Sequence, residues 1–320
     1  MGEHSVALAL AAGGARGAYQ AGALLYFAER GIVFDAVAGT SIGSLNGAFY
    51  AAGDGSAGHV ERLAEHWRRM PEAGIIRMSG AVGAEALKSA LGATLTADPL
   101  EAVSFLYELV TGGFSLLDPR PIAALLDGWL DYEKVCASAI AFTVVVLPER
   151  LPLTDVLTPF RSKALYLDAR ALTPPNLRQA LLAAAAIPFA FPSQEIDGVK
   201  YSDAGLADPL PAKILYQRGA RRILSIFLSD ATLQNRLDFP DAAFMQLRPS
   251  HPIDSGLPST FDFSRRSIEF LIELGYRDAA AGYEEVAKWV RGCAALSALS
   301  RANRELADTL PDRGNRETEI

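Results

Sequence analysis

The sequence predicts a single α/β domain built on a mostly parallel sheet, and three observations predict it. First, short and almost wholly apolar runs such as Ser5 to Ala12 read as strands buried on both faces, as in a parallel sheet. Second, strand, glycine turn, helix and strand succeed one another between Ser5 and Ala38, which is a βαβ unit. Third, 50% of the 320 residues are apolar, enough for a sizeable core and too many for a disordered chain.

The elements follow in order. The strand Ser5 to Ala12 runs into the turn Gly13-Gly14-Ala15-Arg16-Gly17. A helix is expected from Ala18 to Arg30, packing through Leu24, Leu25 and Phe27 and stopped by Gly31. Ile32 to Ala38 reads as a strand, interrupted only by Asp35, and Ile42 to Ala52 as a small-residue helix ending at Gly53. From Gly58 to Leu130 the pattern is mostly helical. Val60, Leu63, Ala64 and Trp67 share one face, and Pro71, Pro99, Pro119 and Pro121 break the stretch. This insertion is a candidate lid. Strands resume at Ala139 to Leu147 and Lys163 to Ala169. A helix then runs from Pro174 to about Ala186, followed by an apolar loop from Ile187 to Pro192. Arg222 to Leu228 is a buried strand, Ser229 to Ser259 a proline-rich loop, and Phe263 to Leu299 a helix. No linker divides the chain, so residues 1–310 read as one domain with a helical insertion at 58–130, and 311–320 as a polar tail.

Composition excludes several function classes. A net charge of -7 without a basic block argues against a nucleic-acid partner. Cys136 and Cys293 are far apart and form neither a disulfide framework nor a metal motif; both read as buried fillers. His4, His59, His66 and His251 are too scattered for a zinc site, so no metal and no other cofactor is expected. No apolar run is long enough to span a membrane, and no basic leader precedes an apolar stretch. The expectation is a cytoplasmic protein touching membranes at most peripherally. The sequence names no protein partner.

The chemistry centres on Gly39-Thr40-Ser41-Ile42-Gly43. Gly-x-Ser-x-Gly between a strand and a helix is the pattern of a nucleophile elbow, in which the serine sits exposed on a strained turn. Its flanking glycines are needed because a Cβ at either place would collide with the facing strand or helix. Acyl transfer also needs donors for a developing oxyanion. The turn Gly13 to Arg16, at a helix N-terminus, is the candidate, with Arg16 either buttressing it or meeting a phosphate. A competing reading takes Gly14-x-x-Gly17 as half of a dinucleotide loop, with Asp35 near the distance of a ribose-binding acid. For the base that activates Ser41, two candidates stand: His251 in a downstream loop, and Asp203 in a tight turn beside Ala204 and Gly205.

Three ordered stretches together resemble the patatin-like phospholipase family. They are Ala12-Gly13-Gly14-Ala15-Arg16-Gly17, the elbow around Ser41, and Asp203-Ala204-Gly205 with its continuation to Pro211. The segment Ala186 to Pro192 is also similar, and the likeness spans roughly Val6 to Leu228, with a weaker echo from Glu269 to Asp278. The resemblance implies a three-layer α/β/α fold and a Ser41–Asp203 dyad without histidine. It further implies an oxyanion site made by the N–H groups of Gly13, Gly14, Ala15 and Arg16, a lipid or acyl-ester substrate, and no redox cofactor. Phe189 to Pro192 would then line an acyl channel. Two departures stand out: Ala12 replaces the first glycine of the turn, and Ala204 the middle residue of the aspartate motif. Each adds a methyl while leaving the backbone N–H groups in place. The alternatives are an esterase or thioesterase on soluble acyl substrates, and a non-catalytic nucleotide- or lipid-binding protein.

Overall fold

The computed structural model describes residues 6–74, 117–149, 163–188, 190–230, 232, 234–253 and 257–290. Its centre is an eight-stranded sheet. The strands are β1 (Val6–Leu10), β2 (Ala36–Thr40), β3 (Ala141–Pro148), β4 (Leu165–Asp168), β5 (Gln194–Ile196), β6 (Val199–Asp203), β7 (Arg222–Ile226) and β8 (Ala243–Leu247). They lie in the order β5-β6-β3-β2-β1-β7-β8, with β4 also pairing β3. Pairings from β3 across to β8 are parallel, whereas β4, β5 and β6 add an antiparallel edge. β1 is buried at every position, as its apolar run predicts for a central strand.

Helices cover both faces. α1 (Gly17–Glu29), α2 (Ile42–Ala51) and α3 (Ala57–Arg69) follow the first two strands. α4 (Arg120–Trp129), α5 (Tyr132–Cys136) and α6 (Pro174–Ala184) come next, then α7 (Ala212–Gln217), α8 (Leu257–Thr260) and α9 (Arg265–Ala281). Residues 283–290 are helical again. α2 lies over Val37 and Phe142, where a Cβ on Gly47 would come within 2.8 Å of the Phe142 ring. α7 packs on β1, β2 and β7, and just beyond it Arg218 reaches Thr143 and Asp168, register partners on β3 and β4. α1 and α9 cross with their backbones almost touching: a Cβ on Gly22 would sit 2.0 Å from Ile272 O, and one on Gly275 2.0 Å from Tyr19 O.

Several boundaries differ from the sequence reading for identifiable reasons. The second strand begins at Ala36, not Ile32. Ile32 N still donates back to Phe27 O at 2.9 Å, and the Asp35 carboxylate caps β1 by accepting from Val6 N at 2.8 Å. The sequence reads β8 as loop and assigns no element to the stretch that forms the hairpin β5–β6. β8 is five residues between prolines and only partly buried, so it carries no periodic signal. Of the insertion, 75–116 lies outside the described residues. α3 does bury Val60, Leu63, Ala64 and Trp67 as expected. Cys136 is half-buried rather than sealed in the core, and Cys293 lies outside the described residues.

A buried polar network ties the first three helices together. Gln20 Nε2 donates to Ala11 O at 2.8 Å, Asn46 Nδ2 to Gln20 Oε1 at 2.8 Å and to Gly17 O at 3.0 Å, and Trp67 Nε1 to Asn46 Oδ1 at 2.9 Å. Removing one member leaves buried partners unpaired, which costs more than the lost bond itself. Asn46→Ala is therefore expected to destabilise the fold by about 2–4 kcal/mol. Urea unfolding followed by circular dichroism checks this; a change under about 0.5 kcal/mol would show that the network contributes little.

Candidate active site

β2 ends at Thr40 and the chain turns abruptly at Ser41, whose φ of 56° and ψ of -127° lie where side chains are strained. The turn is so tight that a Cβ on Gly39 would lie 2.1 Å from Gly43 O, and one on Gly43 2.4 Å from Leu10 O. Ser44 holds it shut, donating from Oγ to Gly39 O at 2.6 Å and from its N–H to Ser41 O at 2.8 Å.

Sheet register brings Asp203 to Ser41. Thr40 pairs with Val145 on one side of β3, and Asp203 pairs with Val146 on the other. Ser41, one step beyond Thr40, thus comes level with Asp203 across a single strand. The gap is about two strand spacings, or roughly 10 Å between backbones, which two short side chains close. The Ser41 hydroxyl lies close enough to the Asp203 carboxylate to favour its charged form, and Gly205 N donates to Asp203 Oδ1 at 2.6 Å. Both residues are 6% exposed. Burial pushes the Asp203 carboxyl up from 3.8 to about 6, against the opposing pull of the Ser41 hydroxyl and the Gly205 N–H. Asp203 is the last residue of a strand, not part of a tight turn as the sequence suggested. The signal available was Asp197-Gly198, a hairpin pair whose φ values are 50° and 80°.

The glycine turn stands beside this pair. Gly14 has φ +56°, and a Cβ there would meet Thr260 O at 2.3 Å, so only glycine fits. Arg16 is 7% exposed and is no surface ion pair. Its Nε donates to Gly13 O at 3.0 Å, Nη1 to Leu228 O at 3.1 Å and Nη2 to Thr260 Oγ1 at 3.3 Å. The guanidinium therefore buttresses the turn. The Arg16 N–H is directed to Gly13 O at 3.2 Å, which leaves Gly13, Gly14 and Ala15 as the better-placed candidate donors. Ala12 fastens the turn to the aspartate loop: its N–H donates to Pro209 O at 2.9 Å, and a Cβ on Gly205 would rest 3.4 Å from the Ala12 methyl.

Gly14 and Ser41 share the wall of an apolar cavity that opens to solvent. Ile42 and Leu45 from α2, Met70, Ile122 and Leu125 from the insertion, Ile187 and Phe191, and Phe261 and Phe263 complete it. Within the expected acyl-lining segment, Phe191 is in place, while Phe189 lies outside the described residues. The contribution of Thr260, Phe261 and Phe263 left no trace in sequence, because they approach from more than two hundred residues away.

The other candidates are elsewhere. His251 is exposed, its ring against Ser250 Oγ at 3.2 Å, four residues beyond the end of β8, which lies three strands from β2. Asp35 caps the start of β1, the end opposite the glycine turn, so the ribose-binding geometry is not present. His59 and His66 are taken up in ring stacks with Phe49 and Trp129. Among the described residues no group of His, Cys, Asp and Glu is placed to hold a metal ion, and no helix is long and apolar enough to cross a membrane.

A family model for patatin-like phospholipases matches residues 8–216, well over half of the chain. Among solved structures, human GIVD cytosolic phospholipase A2 is similar at a TM-score of 0.54 and 10% identity, over 90% of this chain and 60% of that one. VipD from Legionella pneumophila is similar at a TM-score of 0.43 and 12% identity, over 91% of this chain and 67% of that one. This chain thus spans about 60% of the length of the human structure. No curated protein sequence matches. The human structure shares the mixed α/β architecture of a largely parallel sheet between helices.

Burial of Asp203 has a consequence for stability. An acid whose pKa is higher folded than unfolded costs the fold nothing below its unfolded value and progressively more as pH rises through the folded one. Between 3.8 and about 6 that cost reaches about 3 kcal/mol, held constant at higher pH. Asp203→Asn is therefore expected to be more stable than the wild type at pH 8, by about 1–3 kcal/mol, and to lose that advantage near pH 4. Urea midpoints at the two pH values measure it; a variant less stable at pH 8 would show that Asp203 is not strained by burial.

Proposed function

The chain belongs to the patatin-like phospholipase family, and on that footing we propose that it is a serine lipid acyl hydrolase working through Ser41 and Asp203 without a histidine. The observation that carries this reading is the strained Ser41 at the wall of an apolar cavity, brought level with the buried Asp203 carboxylate by the sheet register. In the proposed reaction Ser41 Oγ attacks the ester carbonyl carbon and Asp203 takes its proton. The carbonyl oxygen, now negative, is received by N–H groups of the Gly13 to Arg16 turn, with Gly14 nearest the cavity. Collapse of this intermediate expels the alcohol, which leaves with the proton from Asp203. Water then attacks the acyl-serine, giving its proton to Asp203, and the collapse releases the fatty acid as Asp203 passes that proton to Ser41 Oγ. A carboxyl shifted to about 6 is a stronger base than an ordinary aspartate and still mostly ionised at neutral pH.

An acyl chain suits the cavity lining, which supports a lipid ester as substrate. Contact with a lipid surface is supported at the same sheet edge. Leu165, 39% exposed, pairs with Val146, the register partner of Asp203, and Leu206, 58% exposed, follows Asp203 by three residues.

Ser41→Ala is expected to abolish both ester hydrolysis and covalent labelling by a fluorophosphonate, with the circular dichroism spectrum unchanged. Wild-type turnover of a short-chain nitrophenyl ester by this variant would end the proposal. Asp203→Asn should lose at least about a hundredfold in rate, whereas His251→Ala should keep most activity. The wild-type rate should fall as pH drops through about 6, where Asp203 gains a proton. A flat profile from pH 8 to pH 5 would remove Asp203 as the base. Gly14→Val should reduce turnover by about a hundredfold, the effect of losing one oxyanion donor. A folded Gly14→Val protein with near-normal rate would move the oxyanion site elsewhere.

A further inference from the structure

The loop that follows Asp203 carries a second carboxylate, which the proposed reaction does not use. Beyond Asp203 the chain turns tightly, with Ala207 N and Asp208 N both donating to Ala204 O at 2.9 Å. The next residue, Pro209, offers its carbonyl to Ala12 N at 2.9 Å. Ala12 immediately precedes Gly13, the first candidate oxyanion donor. The base and the glycine turn are thus joined through residues 204–209.

Asp208 is where this loop is fixed to the sheet. Its Oδ2 accepts from the Tyr166 hydroxyl at 2.8 Å. Tyr166 belongs to β4 and pairs with Val145 of β3, which pairs in turn with Thr40, the residue before Ser41. The anchor is therefore in register with the end of the nucleophile's own strand. Asp208 makes no ion pair among the described residues, and burial holds its carboxyl above the usual range. Deprived of the phenol, such a carboxylate would turn toward solvent. The movement would be passed on, because proline fixes its own φ and restricts the residue before it, so Asp208 and the Pro209 carbonyl shift together. Neither Tyr166 nor Asp208 lines the Ser41 cavity, so neither meets an acyl chain held there.

We propose that Tyr166 and Asp208 are positioning residues for ester hydrolysis: their hydrogen bond holds the loop after Asp203 so that the Pro209 carbonyl fixes Ala12 and, through it, the oxyanion turn. The inference rests on the hydrolase reading and deepens it by adding a pair that acts only through the backbone. Oxyanion donors work only when aimed at the place where charge develops, and a displacement of about 1 Å costs up to about a hundredfold in rate.

Tyr166→Phe removes the hydroxyl and keeps the ring. Its kcat on nitrophenyl butyrate should fall by about tenfold to a hundredfold with KM within about twofold, the signature of a contact expressed in the transition state. Amide hydrogen exchange, read residue by residue, needs no turnover. In Tyr166→Phe the Ala12 amide should exchange at least about tenfold faster while the amides of β7 keep their wild-type rates. Tyr276→Phe deletes another phenol, whose hydroxyl donates to Glu29 Oε2 at 2.6 Å at the C-terminal end of α1, and should alter neither readout. Wild-type kcat in Tyr166→Phe, unchanged exchange at Ala12, a rise shared by β7, or the same losses in Tyr276→Phe would each overturn the proposal. A wild-type protein that neither hydrolyses nitrophenyl butyrate nor takes a fluorophosphonate would instead bring down the hydrolase reading and any catalytic role for the pair with it, while the exchange rates would still show whether Tyr166 fixes the turn.

Discussion

The arrangement depends on one unfavourable thing, a carboxylate kept out of water without a cation beside it. Asp203 accepts from one backbone N–H and faces the Ser41 hydroxyl, and burial outweighs both. Left alone such a group would take up a proton or swing to solvent. It stays because the backbone on either side is committed. β6 fixes it against β3, and Asp203 N donates to Ala186 O at 2.9 Å. Two residues on, Gly205 closes over the carboxylate. Opposite it, Ser41 is held at a strained φ by glycine contacts that leave no room for relaxation. Strain and buried charge of this kind persist only where the surroundings over-determine them.

Arg16 illustrates how far those surroundings reach. Its three acceptors belong to its own turn, to the loop after β7 and to α8. A guanidinium carries several N–H donors in a fixed fork, so one side chain can tie three segments at once. The direction of the turn's N–H groups is therefore set by segments up to 244 residues distant. The two alanines that depart from the family pattern fit into this assembly. The Ala12 methyl faces Gly205, and Ala204 is completely buried. As alanines both leave every backbone donor in place.

Much of this was legible in sequence where local geometry dictates residue type. The elbow, the glycine turn and the central strands declare themselves because only glycine or short apolar runs satisfy them. Asp203 was legible through its motif but misplaced by local reading, since a turn and a strand end look alike beside Ala204 and Gly205. The role of Arg16 was open, because nothing near it in sequence reveals three distant acceptors. The network of Gln20, Asn46 and Trp67 was invisible for the same reason. Each is polar or amphipathic at a helix position, and only the packing of α1, α2 and α3 shows that they meet. β8 was lost because a short, half-buried edge strand leaves almost no pattern.

The cavity and the carboxylate are in the end one property. The apolar side chains that make the Ser41 pocket suitable for an acyl chain are also what keep water away from the hydroxyl that Asp203 faces. In the proposed chemistry, a long acyl chain filling that space would remove the remaining solvent and raise the proton affinity of Asp203 when its base strength is needed. A small polar ester leaves water in the pocket and the carboxylate nearer its ordinary behaviour. In the proposed chemistry, preference for an apolar acyl group then needs no separate recognition element, because the substrate that fits the wall is also the one that completes the base.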